Sequence, residues 1–366
     1  MICFPARAYE ALLLLADLNA GAGPSRFKAR TAPPTRVSMS YTAREHHYDA
    51  DLYVPSDGRP KAGVVLVPGV VKNAKDDPRL VAFATTLARA RFAVVVPELA
   101  GFRALQVHAS DAAEIGAAFS FLAGRRDLAP AGRAGIIALS YAVGISVLAA
   151  MDERIRDQVR FILGVGGYYD ITGTVTFLTT GYFRQAMQWQ RLEPDPYSVR
   201  VFLESSKNSL QDPADAAVLE SIEELRTDNP TADTSRLAFR LGPEGRALHD
   251  LLRNVDPLRA PALIARLPRA LQSALSQLNL SNKDLLRLKA RLILVADRAD
   301  NMIPYTQSLE LARAVREGQA HVQLVDSLTH VEMKRWHYLS RKFFTTGVPD
   351  FWRMHTVVCE LLKERG

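Results

Sequence analysis

The sequence predicts an α/β protein: a mostly parallel central sheet with helices on both faces, an N-terminal antiparallel hairpin and a helical insertion. Three observations predict it. Strand-like and helix-like stretches alternate at short intervals up to residue 170, the pattern of parallel strands joined by crossover helices. The strand stretches are continuous apolar runs, as strands covered on both faces should be. The alternation stops near 171, gives way to more polar helical stretches, and resumes at 291.

Taken in order, "ALLLLADLNAGAG" (11–23) reads as an amphipathic helix ending at Gly21 or Gly23 and docked on the body. A Pro-rich linker follows. "RVSMSYT" and "YDADLYVP" read as an antiparallel hairpin closed by the turn signal "SDGRP". "GVVLVP" (63–68) is a buried strand. "DPRLVAFATTLARA" (77–90) is a helix with Asp77 as N-cap and Pro78 at its first position. Strand 92–99, helix 109–127, strand 134–140, a helix from Tyr141 and strand 159–170 continue the series. Residues 171–289 read as mostly helical. "RLILVA" (291–296), helix 305–318, strand 320–327 and a C-terminal helix near 349–364 complete it. Neither half has enough strands alone, so one sheet is interrupted. The chain divides into an N-terminal helix and linker (1–35), a core (36–170 and 290–366) and a helical insertion (171–289). Internal repeats and low-complexity tracts are lacking.

Bulk properties exclude several classes. The net charge of +7 is small for 366 residues and scattered, with no basic block interleaved with aromatics. That argues for a solvated basic surface and against nucleic acid as a partner. The two cysteines, Cys3 and Cys359, lie at opposite ends, which is neither a disulfide framework nor a metal-ligand cluster, so packing should hold the fold. No run reaches transmembrane length. Glu10 and Asp17 flank the N-terminal apolar stretch where a signal peptide carries basic residues. A cytoplasmic location and no membrane association are the expectation. Export or lipid anchoring through Cys3 would require a start further upstream.

The informative stretch is "AGIIALSYAVGISVLAA" (134–150), where an apolar strand runs into Ser140 and then into an apolar helix. A serine on such a turn is forced out at the C-terminal edge of the sheet, where open α/β sheets bind ligands. The following amide, Tyr141 N–H, then points from a helix N-terminus toward developing negative charge. Ala138 and Ala142 provide the clearance a cramped turn demands. A serine that merely caps the helix is the competing reading, and a base and an acid in the right places decide against it. "LILVADRADNMIPY" places Asp300 after a late strand, and "VQLVDSLTHVEM" places His330 after the last strand. A serine needs a base to take its proton and donors for the oxyanion. His330 would be that base, and Asp300 would orient it. Asp170, at the end of "GGYYD", is the alternative acid. Asp297 reads as a turn cap. His321 and His337 read as surface or packing residues, and His46 and His47 carry no assignment. In the loop "VPGVVKNAKDDPR" the Val70 N–H is the candidate second oxyanion donor, with Val71 as backup, and an ordinary βα loop with a glycine turn is the competing reading. Asp76 and Asp77 could suggest a metal pair, but helix capping by Asp77 explains them more simply.

With these residues in hand, the chain resembles the α/β-hydrolase superfamily over roughly 40–170 and 290–365. "VPG", the elbow "ALSYA", "DNMIP" and "LTHVE" carry the resemblance. It is most similar to bacterial serine hydrolases of the dienelactone-hydrolase or carboxylesterase type. Alanine stands at both elbow positions where glycine is usual. Pro68 stands where many members have histidine, and Asp297 where glycine is common. The resemblance implies that 171–289 forms a lid, with Tyr182, Phe183 and Trp189 walling the pocket. It further implies a small acyl substrate, hydrolysis of an ester through Ser140, His330 and Asp300, and no metal or organic cofactor. Acyl transfer or peptidase work with the same triad, and a non-catalytic binding protein on the same scaffold, are the alternatives.

Overall fold

A computed structural model describes residues 4–43, 45–229, 231–333 and 343–366. Helix α1 (Pro5–Ala20) precedes strands β1 (Thr35–Ala43), β2 (His46–Val54) and β3 (Ala62–Val67). Helix α2 (Pro78–Arg89), strand β4 (Phe92–Pro97), helices α3 (Ala100–Arg103) and α4 (Asp111–Ala123) and strand β5 (Ala134–Leu139) follow. Helix α5 (Ala142–Ala150) leads to strand β6 (Phe161–Val165). The insertion then carries α6 (Ile171–Thr180), a small hairpin β7 (Tyr182–Gln185) and β8 (Gln188–Arg191), α7 (Pro196–Lys207) and α8 (Pro213–Asp228). It continues through α9 (Ser235–Ala238), α10 (Pro243–Leu252), α11 (Ala260–Ile264) and α12 (Arg269–Leu278). Strand β9 (Arg291–Asp297), helix α13 (Thr306–Ala314), strand β10 (Ala320–Val325), the two-residue strands β11 (Leu328–Thr329) and β12 (Glu332–Met333) and helix α14 (Val348–Lys363) complete it.

Eight strands form one sheet in the order β1-β2-β4-β3-β5-β6-β9-β10. The six from β4 to β10 are mutually parallel, and β2 joins β4 antiparallel. This is the mostly parallel sheet with an N-terminal hairpin that the sequence predicts. Successive residues of each strand feed opposite faces. Val65, Val95, Ile136 and Ile162 pack with α4 and α5. Val64, Val94, Ile137 and Leu163 pack with α1, α2 and α14. Every residue of β3 and β4 is buried, which is why these strands read as unbroken apolar runs. Strand order reverses between β4-β3 and β5, so the loops after β3 and β5 open a crevice at the C-terminal edge.

Local signals account for most boundaries. Asp77 accepts the Arg79 N–H at 2.9 Å, with Pro78 at the first helical position. Helix α1 stops at Gly21, whose φ of 55° suits glycine. It docks through the buried residues Ala11, Leu14 and Leu15, and buried Asp17 accepts the Thr86 hydroxyl of α2.

The structure corrects the reading in several places. "SDGRP" does not close the β1–β2 hairpin. The two strands pair from Thr35↔Val54 to Ala43↔His46, so the reversal lies at the Ala43 and His46 end of the pair, where Glu45 adopts φ 64°. "SDGRP" instead leads from β2 into β3. Strand β6 ends at Val165, because Gly166 turns the chain out of the sheet with φ 66°. The insertion contains the β7–β8 hairpin as well as helices. Cys359, buried in α14, is disulfide-bonded, a tie that a count of two cysteines could not reveal. Cys3 and His337 lie outside the described residues. No described helix is long and apolar enough to cross a membrane.

Candidate active site

Ser140 sits between the end of β5 and the start of α5 with φ 59°. A left-handed backbone costs a non-glycine residue about 1–3 kcal/mol, so the surrounding structure must hold it. It does so through two hydrogen bonds. Ser140 N–H donates to Val165 C=O (2.8 Å), and Ser140 C=O accepts from Val143 N–H (3.0 Å). Ala138 and Ala142 are fully buried beside the turn, as the clearance argument requires.

Asp300 follows β9 and is almost completely buried. One carboxylate oxygen accepts the N–H groups of Met302 (2.9 Å) and Ile303 (3.0 Å). The other meets His330 Nδ1 at 2.7 Å. His330 lies in the two-residue turn between β11 and β12, with φ 55° and 7% exposure. Its Nε2 is buried and has no hydrogen-bond partner. An imidazole held at Nδ1 by a carboxylate has its tautomer set, which leaves Nε2 as the basic nitrogen.

Gly166 lies between this pair and the serine turn, and sequence reading missed it. It follows directly on Val165, which holds the Ser140 amide. A Cβ on Gly166 would lie 3.0 Å from His330 Cε1 and 3.2 Å from Asp300 Oδ2. Only glycine lets the β6 end pass so close, and φ 66° favours it independently. The signal was the "GG" directly after an apolar strand.

Of the two candidate oxyanion donors, Tyr141 follows the serine directly and Val70 lies in the loop after β3. Neither Val70 N–H nor Tyr141 N–H donates to an acceptor among the described residues. Gly69 brings the β3 loop close, since a Cβ there would lie 3.8 Å from Ser140 Cβ. Burial pushes the Tyr141 phenol above its ordinary pKa, and the nearby Asp300 charge adds to this. Asp170 is placed differently from Asp300. Its oxygens accept the Thr172 (3.1 Å) and Gly173 (2.9 Å) N–H groups, capping α6. Asp297 caps its turn through Ala299 N–H and also crosses to Leu328 N–H, both at 2.7 Å. Asp76 pairs with Arg36 and Arg103. No group of three or more metal-ligating side chains occurs among the described residues.

An apolar cavity of about 40 Å³ opens beside Tyr141, lined also by Tyr168, Leu178, Phe202, Leu275 and Leu278. Tyr182, Phe183 and Trp189 do not wall it. They line a larger cavity of about 290 Å³ together with Asp170, Gln307 and Glu310.

No protein-family model matches the chain, and no curated protein matches it in sequence. Solved structures do resemble it. A Legionella pneumophila protein provisionally assigned as a hydrolase superposes with a TM-score of 0.54 at 12% identity, over 92% of this chain and 90% of that one. An acylaminoacyl peptidase of Pyrococcus horikoshii gives 0.48 at 13% identity, over 92% of this chain but only 42% of the longer one. A dienelactone hydrolase of Anabaena variabilis gives 0.42 at 11% identity, over 88% and 96%. Identities this low speak to architecture and not to activity. From the parallel sheet with its antiparallel N-terminal hairpin, the strained serine turn after β5 and the likeness to the Legionella protein, the chain has the α/β-hydrolase fold.

Proposed function

We propose that the chain is a serine hydrolase that cleaves a carboxylic ester or related acyl bond of a small molecule. The observation that carries the reading is His330: buried, tied to Asp300 through Nδ1, and with Nε2 left unpaired at the strand edge that also carries Ser140. A buried polar nitrogen without a partner costs stability, which makes it a functional candidate when it sits in a loop cluster at such an edge.

In this mechanism Ser140 Oγ attacks the acyl carbonyl as His330 Nε2 takes the hydroxyl proton. Asp300 stabilises the imidazolium through its 2.7 Å bond. The N–H groups of Tyr141 and Val70, with Val71 N–H as the backup donor, hold the oxyanion. Collapse of the tetrahedral intermediate breaks the ester C–O bond, and the imidazolium returns its proton to the leaving alcohol. Water, deprotonated by the same nitrogen, then attacks the acyl-enzyme, the acyl C–Oγ bond breaks, and the imidazolium returns its proton to Ser140 as the acid leaves. Nε2 and the Ser140 hydroxyl are not hydrogen-bonded to each other, and such bonds often tighten only with substrate in place. The insertion (171–289) acts as the lid, and the cavity beside Tyr141 receives an apolar part of the substrate.

The test uses a fluorophosphonate probe and a series of p-nitrophenyl esters. Wild type is expected to be labelled and to turn over esters, and folded Ser140→Ala to do neither. Folded wild type that takes no label and hydrolyses nothing would leave the binding-protein reading in its place.

A further inference from the structure

We propose that Tyr197, in the first turn of α7, is a positioning residue that sets the loop after β3 for oxyanion binding. The inference rests on the serine-hydrolase reading and extends it to a residue of the insertion.

The start of α7 is rigid. Pro196 occupies its first turn, and the Asp195 carboxylate accepts the Tyr197 N–H at 2.9 Å. From this platform Tyr197 Oη donates to the carbonyl of Val70 at 2.9 Å. The backbone N–H of Asp195 donates to Asn301 C=O at 2.8 Å, one residue beyond Asp300. One helix start therefore grips both the β3 loop and the acid loop.

Peptide planarity converts the Tyr197 contact into a constraint on donors. The Val70 carbonyl and the Val71 N–H share one trans peptide, so fixing the carbonyl directs that N–H to the opposite side. The next peptide is held by Ala74 N–H, which donates to Val71 C=O at 2.9 Å. With both carbonyls tied, the N–H groups of Val70 and Val71 remain unspent. Donors fixed before the reaction stabilise an oxyanion without reorganising during it. Without the Tyr197 hydroxyl, the Val70 carbonyl loses its partner and the Val70–Val71 peptide is free to rotate, which would replace the Val71 N–H, the backup donor to Val70, with a carbonyl acceptor.

The experiment compares wild type with Tyr197→Phe. We expect kcat to fall about 10- to 100-fold, with KM changed by less than about threefold. Affinity for a trifluoromethyl ketone analogue of the ester should fall by the same factor as kcat/KM. A purely structural role would lower thermal stability while leaving kcat and analogue affinity together unmoved. A second variant carries 3,5-difluorotyrosine at 197, which keeps the ring and the hydroxyl. Its more acidic phenol loses the donated proton at lower pH, so kcat should fall at alkaline pH where wild type holds. Unchanged kcat in the Phe variant, a loss confined to KM, or a difluorotyrosine pH profile matching wild type overturns the role of Tyr197. Wild type that neither labels nor hydrolyses overturns the hydrolase reading and this inference with it.

Discussion

Strand β10 carries a histidine–carboxylate pair near its start and another beyond its end, and they differ in what each leaves unsatisfied. His321, at the start, meets the fully buried Glu360 through Nδ1, and its Nε2 lies 2.9 Å from Gln323 Nε2. Glu360 also accepts from Arg291 at 2.9 Å, so its charge is balanced. The His321 side chain is 38% exposed. His330, beyond the other end, is buried, and its carboxylate is held by two backbone N–H groups and, among the described residues, by no Lys or Arg. Its Nε2 has nothing. A histidine beside an acid is therefore not a site by itself. What distinguishes the second pair is an unspent nitrogen, sheltered from water, on the strand edge where the serine turn also lies.

The sharpest way to break this comparison is to replace each histidine by glutamine and measure ester turnover beside thermal unfolding. Under the proposed mechanism His330→Gln is expected to lower kcat by about 10⁴-fold or more, since the members of a catalytic triad act as a unit. His321→Gln should leave kcat within about twofold and cost at most about 1 kcal/mol of stability, because its pair is partly solvated. Similar losses of turnover in both variants would erase the distinction.

The two ends of β10 also show what the sequence could and could not disclose. "VQLVDSLTH" locates His330 in a loop after a strand, and topology puts such loops at one edge. The placement of Ser140, Asp300 and His330 in loops after strands was legible for that reason. Strands β3, β4 and β5 were legible because burial on both faces leaves unbroken apolar runs. The β7–β8 hairpin was hidden because "YFRQ" and "QWQR" are polar and half-exposed, so no periodicity of burial marks them. Gly166 and Tyr197 were hidden for another reason. Their contacts are with residues remote in the chain, His330 and Val70, which no local pattern encodes.

A smaller but more selective contrast separates the two candidate acids. Asp300→Asn keeps the shape yet presents an amide to Nδ1, which favours the wrong tautomer, and kcat should drop about 10⁴-fold. Asp170→Ala removes the cap of α6 and should cost about 1 kcal/mol, with kcat within a few-fold of wild type. A larger loss of turnover from Asp170 would transfer the orienting role to it.

The least effect, and the most informative about why Asp300 is built as it is, concerns Asp111. This carboxylate at the start of α4 is also buried and without a cation, but it accepts only the His108 N–H, at 2.8 Å. Burial pushes its pKa up to about 6. Glu114, one turn on, is raised by its own burial and then by the Asp111 charge. Because the folded pKa lies above the ordinary carboxylate value, the folded protein holds a proton that the unfolded chain releases. Stability should therefore fall as pH rises from about 4 to about 6 and level off above. Asp111→Asn removes the charge and relieves Glu114. Its melting temperature is expected to exceed that of wild type at pH 7, with the gap closing toward pH 4. A gap that is constant across this range would show that Asp111 carries no charge penalty. One backbone donor would then serve a buried carboxylate as well as the two donors and the imidazole that surround Asp300.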